Sequence, residues 1–162
     1  MFCDRGGAVV ESRKRGMRMQ DRYLFRGKRI DNGEWVIGNC IDDGVTGQVF
    51  IHTVGNSVNE SDKVGEEGCL QFVAFEVAQA TICQCTGLKD KNGNLIWEND
   101  IVRYGHGNFY KAFWQNYYYQ FSWICVKTDV FSIGAKWDLW SFKSFEIEVI
   151  GNVFDNPELL EE

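Results

Sequence analysis

Proline occurs once in this chain of 162 residues, and histidine only twice, at His52 and His106. So little proline argues against a disordered tail. No stretch approaches the ~18 consecutive apolar residues of a spanning helix, so no membrane association is expected. The N-terminus lacks the apolar h-region of a secretory signal, which leaves the cytoplasm as the expected compartment. The six cysteines, Cys3, Cys40, Cys69, Cys83, Cys85 and Cys125, include no C-x-x-C pair. Without export they are expected to stay reduced. No Ser-His-Asp order and no metal-ligand cluster stands out, so the chain is read as a non-enzyme with no catalytic, cofactor-binding or metal-binding residues and no cofactor. Positive charge is short as well, with a formal net charge of −6.

That charge is unevenly placed. Residues 1–18 hold Arg5, Arg13, Lys14, Arg15 and Arg18 against Asp4 and Glu11, a net of +3, which leaves −9 on the remainder. An acidic body is repelled by phosphate backbones, whose affinity depends on Lys and Arg displacing counterions. Nucleic acid is therefore a disfavoured partner, although a local basic groove would restore it. Residues 1–18 are basic, turn-rich and aperiodic, and are read as a disordered or non-native extension. Arg13-Lys14-Arg15-Gly16 ahead of Met17 and Met19 is what a purine-rich ribosome-binding sequence gives when translated in frame. The expected true start is Met19, which an N-terminus found by mass spectrometry at Met1 would refute.

What is abundant is apolar and aromatic: 44% of the residues are hydrophobic and 15% aromatic, ample for a buried core. The central stretch Thr81–Tyr104 reads as strand, turn, strand, turn, strand. Asn92-Gly93 supplies the positive-φ positions that a two-residue hairpin needs, and Glu98-Asn99-Asp100 turns the chain again. Upstream, Tyr23–Ile41 reads as a hairpin about Asp31-Asn32-Gly33, and Gln48–Val54 as a further strand. Cys69–Ala78 suits a strand buried on both sides, with a short helical turn at Ala78-Gln79-Ala80 as the alternative for its end. Downstream, Phe109–Phe113 and Tyr118–Val126 read as two strands around a turn near Gln115-Asn116. Glu146–Phe154 reads as a last strand, and Val130–Phe145 admits either a short helix or a strand and loop. With strands recurring and no long helical period, the expected fold is mainly β with little helix, either a small partly open barrel or two packed β subdomains built from hairpins. The expected units are 19–80 and 81–162.

Four groups of residues invite chemistry. Cys83 and Cys85 are two apart on a strand and so share a face, but without a second pair they read as small apolar packing groups. Glu60, Asp62, Glu66 and Glu67 invite calcium, but they lack the spacing of an EF-hand and read as a solvated loop. Glu98 and Asp100 are the most enzyme-like carboxylates; the plainer reading has them bonding turn amides. Phe109, Tyr110, Phe113, Trp114, Tyr117, Tyr118, Tyr119, Phe121 and Trp123 form an unusually dense aromatic run. Stacked aromatics bind single strands when cations flank them, yet Lys111 is the only cation between Phe109 and Trp123. A core plus an oligomer or partner surface fits better.

Three stretches in order resemble the YopX family of small bacteriophage and prophage proteins. The first is Tyr23-Leu24-Phe25-Arg26-Gly27-Lys28 with Asn32-Gly33-Glu34-Trp35-Val36-x-Gly38. The second is Thr86-Gly87-Leu88-Lys89-Asp90-Lys91-Asn92-Gly93 with Glu98-x-Asp100-Ile101-Val102. The third is Glu148-Val149-Ile150-Gly151-Asn152-Val153-Phe154-Asp155-Asn156-Pro157-Glu158-Leu159-Leu160. Cys83 and Cys85 stand where relatives carry a glycine and an aromatic, and Asn99 where a glycine is common. The resemblance implies a phage-derived β protein of unknown biochemical role in a bacterial host cell, and it transfers no catalytic residue. The function expected is a protein-interaction or self-assembling β module, whose partner is another copy or a host or phage protein. The alternative is a nucleic-acid-associated β-barrel protein acting in phage replication or regulation.

Overall fold

The computed structural model describes residues 21–55, 71–105 and 107–161. The basic extension, the acidic loop, Cys3, Cys69 and His106 lie outside the described residues. The fold is mainly β, as expected, and consists of two antiparallel sheets that do not close into a barrel.

The first sheet contains β1 (Phe25–Lys28), β2 (Trp35–Asp42), β3 (Val49–Gly55), β4 (Gln71–Val77), β5 (Cys83–Lys89) and β6 (Leu95–Trp97), in the order β4-β3-β2-β1-β5-β6. The second contains β7 (Asp100–Tyr104), β8 (Asn108–Gln115), β9 (Gln120–Lys127), β10 (Lys136–Asp138) and β11 (Ile147–Asn152), in the order β10-β9-β8-β7-β11. The change of sheet falls at the two-residue turn Glu98-Asn99. Among the described residues helix is confined to single 3-10 turns, among them Gln79–Thr81 just before β5 and Leu139–Ser141 just after β10.

Both Asn-Gly reversals fall where the sequence places them, but neither is a two-residue hairpin: only the glycines take positive φ, +74° at Gly33 and +85° at Gly93, and a longer loop joins the strands in each. Gly38 on β2 has a different reason: a Cβ there would lie 2.0 Å from the His52 carbonyl oxygen of β3. The two backbones can approach so closely only without a side chain between them.

Each sheet has its own core. Val49, Ile51 and Val77 are buried in the first, with Phe25, Val36 and Ile82 packed around them. Val102, Tyr110, Ala112, Trp123, Cys125, Phe142 and Ile147 are buried in the second, where Ile96 of β6 joins them from the first sheet. Phe142 comes from the stretch that the sequence left open between helix and strand. That stretch supplies the three-residue strand β10 and two 3-10 turns, and these drop Phe142 onto Tyr104, Tyr110 and Trp123 at ring-centroid distances of 4.3, 4.6 and 5.8 Å.

β4 departs from expectation. Of its described side chains only Val77 is buried and Ala74 is exposed, because β4 is an edge strand and not a central one.

Candidate functional site

Asp100 opens β7 at the point where the chain leaves one sheet for the other. Its carboxylate accepts from the Trp97 backbone N–H at 2.8 Å and from the Arg26 guanidinium of β1 at 2.5 Å. Arg26 lies over two indole rings, 4.5 Å from the centroid of Trp35 and 5.5 Å from that of Trp97. Its Nε is buried without a hydrogen-bond partner. Burial outweighs the nearby guanidinium and raises the Asp100 pKa to about 6. Asn99, just before, takes the left-handed conformation at φ +65°, which asparagine tolerates better than most residues. Glu98 is half-buried beside it. Of the two carboxylates singled out from sequence, Asp100 is bound to a turn amide, and it also ties β7 to β1.

A second set of polar residues also holds the sheets together. The Asp90 carboxylate is buried in the β5–β6 turn, where it accepts from the backbone N–H of Asn92 and of Asn94, each at 2.9 Å. It also accepts from the N–H of Val149 on β11 at 3.2 Å. Lys91 N–H donates to the Ile147 carbonyl at 2.9 Å, so the Asp90–Gly93 turn fastens onto the edge of the second sheet. At the chain's end, Asn152 Oδ1 accepts from the N–H of Phe154 and of Asp155. Asp155 accepts from the Trp35 indole N–H at 2.7 Å and pairs with Lys28. Burial alone would raise the Asp155 pKa, but hydrogen bonds from Lys28, Asn152 and Trp35 prevail and lower it to about 2.

Cys83 and Cys85 are both fully buried on one face of β5, in a small cluster with Trp97, Leu24, Trp35, Leu95 and Phe154. Their thiols point at the carbonyls of Thr81 and Ile96, and burial pushes both pKa values up. Thiols so placed are poor nucleophiles. Among the described residues no three His, Cys, Asp or Glu side chains converge on a cation position.

The aromatic run divides in two. Tyr110 and Trp123 enter the second core, while Phe109, Phe113 and Phe121 are half-buried. Tyr117, Tyr118 and Tyr119 stand out at the tip of the β8–β9 hairpin, with Tyr117 and Tyr119 each 82% exposed. The sequence placed Tyr118 and Tyr119 in a strand, because tyrosine is a strong strand former. The turn instead runs over residues 116–119, and Tyr119 closes it with φ +53°. A bulky residue in this left-handed region is an outlier that costs on the order of 1–3 kcal/mol; such positions usually carry glycine.

More apolar surface borders β10, at the tip and at the other end of β9. Tyr118 lines a shallow groove of about 240 Å³ with Gln115, Lys136, Trp137, Asp138 and Ser141. Trp140 follows β10 and is 75% exposed, and the exposed Phe131 and Ile133 precede it. Sequence reasoning did not identify Phe131, Ile133 or Trp140 as surface residues. Their only signal was the poor alternation of Val130–Phe145.

Taken together, this is a two-sheet antiparallel β protein with a polar interlock between the sheets and an aromatic rim on the second. The profile of the YopX protein family matches residues 24–161, and the chain belongs to that family. Among solved structures, the crystal structure of protein EF1440 from Enterococcus faecalis is similar, at 24% sequence identity over 85% of this chain and 96% of that one, with a TM-score of 0.43. No curated protein matches the chain. No helix among the described residues is long and apolar enough to cross a membrane.

Proposed function

We propose that the chain is a non-enzymatic interaction module of phage or prophage origin, working in the bacterial cytoplasm and docking other protein through the aromatic rim of its second sheet. The observation that carries this reading is the run of three exposed tyrosines held at a hairpin tip by a left-handed Tyr119. A large exposed apolar patch is a common mark of a protein contact, and tyrosine is favoured there for its amphipathic ring. Backbone strain concentrates at binding sites, where a surface is held ready. The carboxylates that would serve catalysis are engaged elsewhere: Asp90, Asp100 and Asp155 all hold backbone or side-chain donors. Cys40, Cys83, Cys85 and Cys125 are unbridged, which suits a reducing compartment.

The test is a pull-down from host lysate, with and without phage infection, that compares the wild type with Tyr117→Ser/Tyr118→Ser/Tyr119→Ser. The expected result is a partner identified by mass spectrometry, or the chain itself, that the triple variant loses while its circular dichroism is unchanged. Equal capture by the triple variant would remove the rim from the reading.

A further inference from the structure

A sheet has two edges, and each edge strand presents unpaired N–H and C=O groups that invite another strand. Of the four edges here, β4 is met only at its C-terminal end and two more are covered. The end of β4 is met by β1 and the residues after it: Ile30 N–H donates to the Glu76 carbonyl at 3.1 Å, and Ala78 N–H to the Lys28 carbonyl at 2.8 Å. β6 is sunk between the sheets, with Ile96 fully buried and Trp97 nearly so. β11 is covered by the Asp90–Gly93 turn, through Lys91 N–H on Ile147 and Asp90 on the Val149 N–H. The fourth, β10, pairs with β9 on one side, and among the described residues no backbone hydrogen bond reaches its other side.

β10 reads Lys136-Trp137-Asp138. Trp137 faces the core, where it meets Tyr110 and Phe131 at 5.3 and 5.5 Å between ring centroids. Lys136 and Asp138 lie two apart, hence together on the opposite face. The Lys136 ammonium sits 5.4 Å above the Phe113 ring, and Asp138 accepts from Gln120 at 2.5 Å. Neither belongs to an ion pair among the described residues.

We infer that a second copy of this chain pairs with β10, antiparallel and centred on Trp137, joining the two five-stranded sheets into one. This deepens the interaction reading above by naming the occupant of part of the rim. In that register Lys136 of each copy stands opposite Asp138 of the other, so a two-fold axis makes both cross-strand pairs opposite in charge. Sliding the strands by two residues in either direction sets Lys136 against Lys136 or Asp138 against Asp138. A slide of one residue sends the charged face to the core side. The strand is thus complementary to itself in one register and penalised in the neighbouring ones. Lysine on an edge strand ordinarily discourages pairing; here the aspartate two residues on supplies the counter-charge. Phe131, Ile133, Trp140 and Tyr118 flank the strand, and these exposed rings and methyls would be covered in the pair.

The test uses the full chain and charge exchange, read by size-exclusion chromatography with light scattering. The wild type is expected to be a dimer. Lys136→Asp and Asp138→Lys should each weaken the dimer at least tenfold, because each sets like charges opposite one another twice. Mixing the two single variants should restore a heterodimer, and Lys136→Asp/Asp138→Lys in one chain should restore a homodimer. Unchanged circular dichroism and melting temperature exclude misfolding. A dimer that persists in both single variants overturns the β10 pairing while leaving the interaction reading intact. A wild type that stays monomeric at high micromolar concentration also overturns it, and leaves the rim to a partner of another kind. Loss of the dimer in both variants without rescue by mixing counts against the register and so against the inference.

Discussion

At the junction of the sheets, Asp90, Asp100, Asn152 and Asp155 each hold two or more partners, most of them backbone amides or cations from a distant strand. At the rim of the second sheet, Tyr117, Tyr119 and Trp140 stand almost fully in solvent. The two regions use opposite chemistries. Carboxylates engaged by distant partners lock the architecture, and exposed rings present it. The stretches that carry the family resemblance run through the lock: Arg26 and Trp35 in the first, Asp90 and Asp100 in the second, Asn152 and Asp155 in the third. A motif rich in acidic residues is easily taken for a catalytic one. In this chain its carboxylates are occupied by the fold, so their loss should be felt as stability, whereas loss of the rim should be felt as binding.

The largest effect that would sharpen this contrast is at Asp100. Asp100→Ala leaves the Arg26 guanidinium buried without its counter-charge and the Trp97 N–H without its acceptor. Breaking a buried pair in this way typically costs about 3–5 kcal/mol, and urea unfolding followed by circular dichroism measures it. The double variant Arg26→Met/Asp100→Leu should cost much less than the single one, since no lone charge remains; the unsatisfied Trp97 amide keeps a penalty of about 1–3 kcal/mol. If Asp100→Ala were as stable as the wild type yet failed in the pull-down, the lock and the rim would have exchanged roles.

Some of this was legible in the sequence and some was not, for a physical reason that differs by residue. The strands beside the two Asn-Gly turns are local, set by side-chain alternation, and they form as read; the turns fall where expected but open into longer loops in which only Gly33 and Gly93 take positive φ. Cys83 and Cys85 share a buried face because strand geometry requires the first and an apolar environment the second. The partners of the carboxylates were not legible. Arg26 lies 74 residues from Asp100, and Trp35 lies 120 from Asp155, and no local rule connects them. The hairpin tip was misplaced because tyrosine's preference for strands overrode a turn that has no glycine. β10 was hidden by its length, three residues being too few to show alternation.

A smaller effect comes from pH, and it separates two residues of the lock. The Asp100 pKa is raised to about 6 in the fold, above the ordinary carboxylate value of about 3.9. The native state therefore takes up this proton before the unfolded state does. As pH falls from 7 through about 6 toward 4, Asp100 adds stability, because a charge that is costly to bury is neutralised. Asp155 has the opposite sign: with its pKa lowered to about 2, it contributes stability above the unfolded value and loses it as pH falls through the folded one. Between pH 7 and pH 5 only Asp100 titrates of the two. The wild type should therefore gain about 1 kcal/mol over that interval relative to Asp100→Asn, read from urea midpoints. Parallel pH profiles for the two proteins would mean that Asp100 remains a charged partner of Arg26 throughout.

The smallest change in stability belongs to Tyr119, and it separates the regions most cleanly because its two consequences have opposite signs. Its φ of +53° is unfavourable for a tyrosine and costs glycine nothing. The ring is 82% exposed, so little packing is lost with it. Tyr119→Gly relieves the strained backbone but gives the unfolded chain more freedom, and these terms oppose one another. The expected net effect is a gain of up to about 1 kcal/mol, visible as a small rise in melting temperature. The same substitution removes one of the three rings from the hairpin tip and should weaken capture in the pull-down. A variant that melts higher but binds less would mean that the strain at the tip is kept for the surface it displays. A variant that melts lower would mean that the Tyr119 ring supports the hairpin from within, and the tip would then belong with the lock.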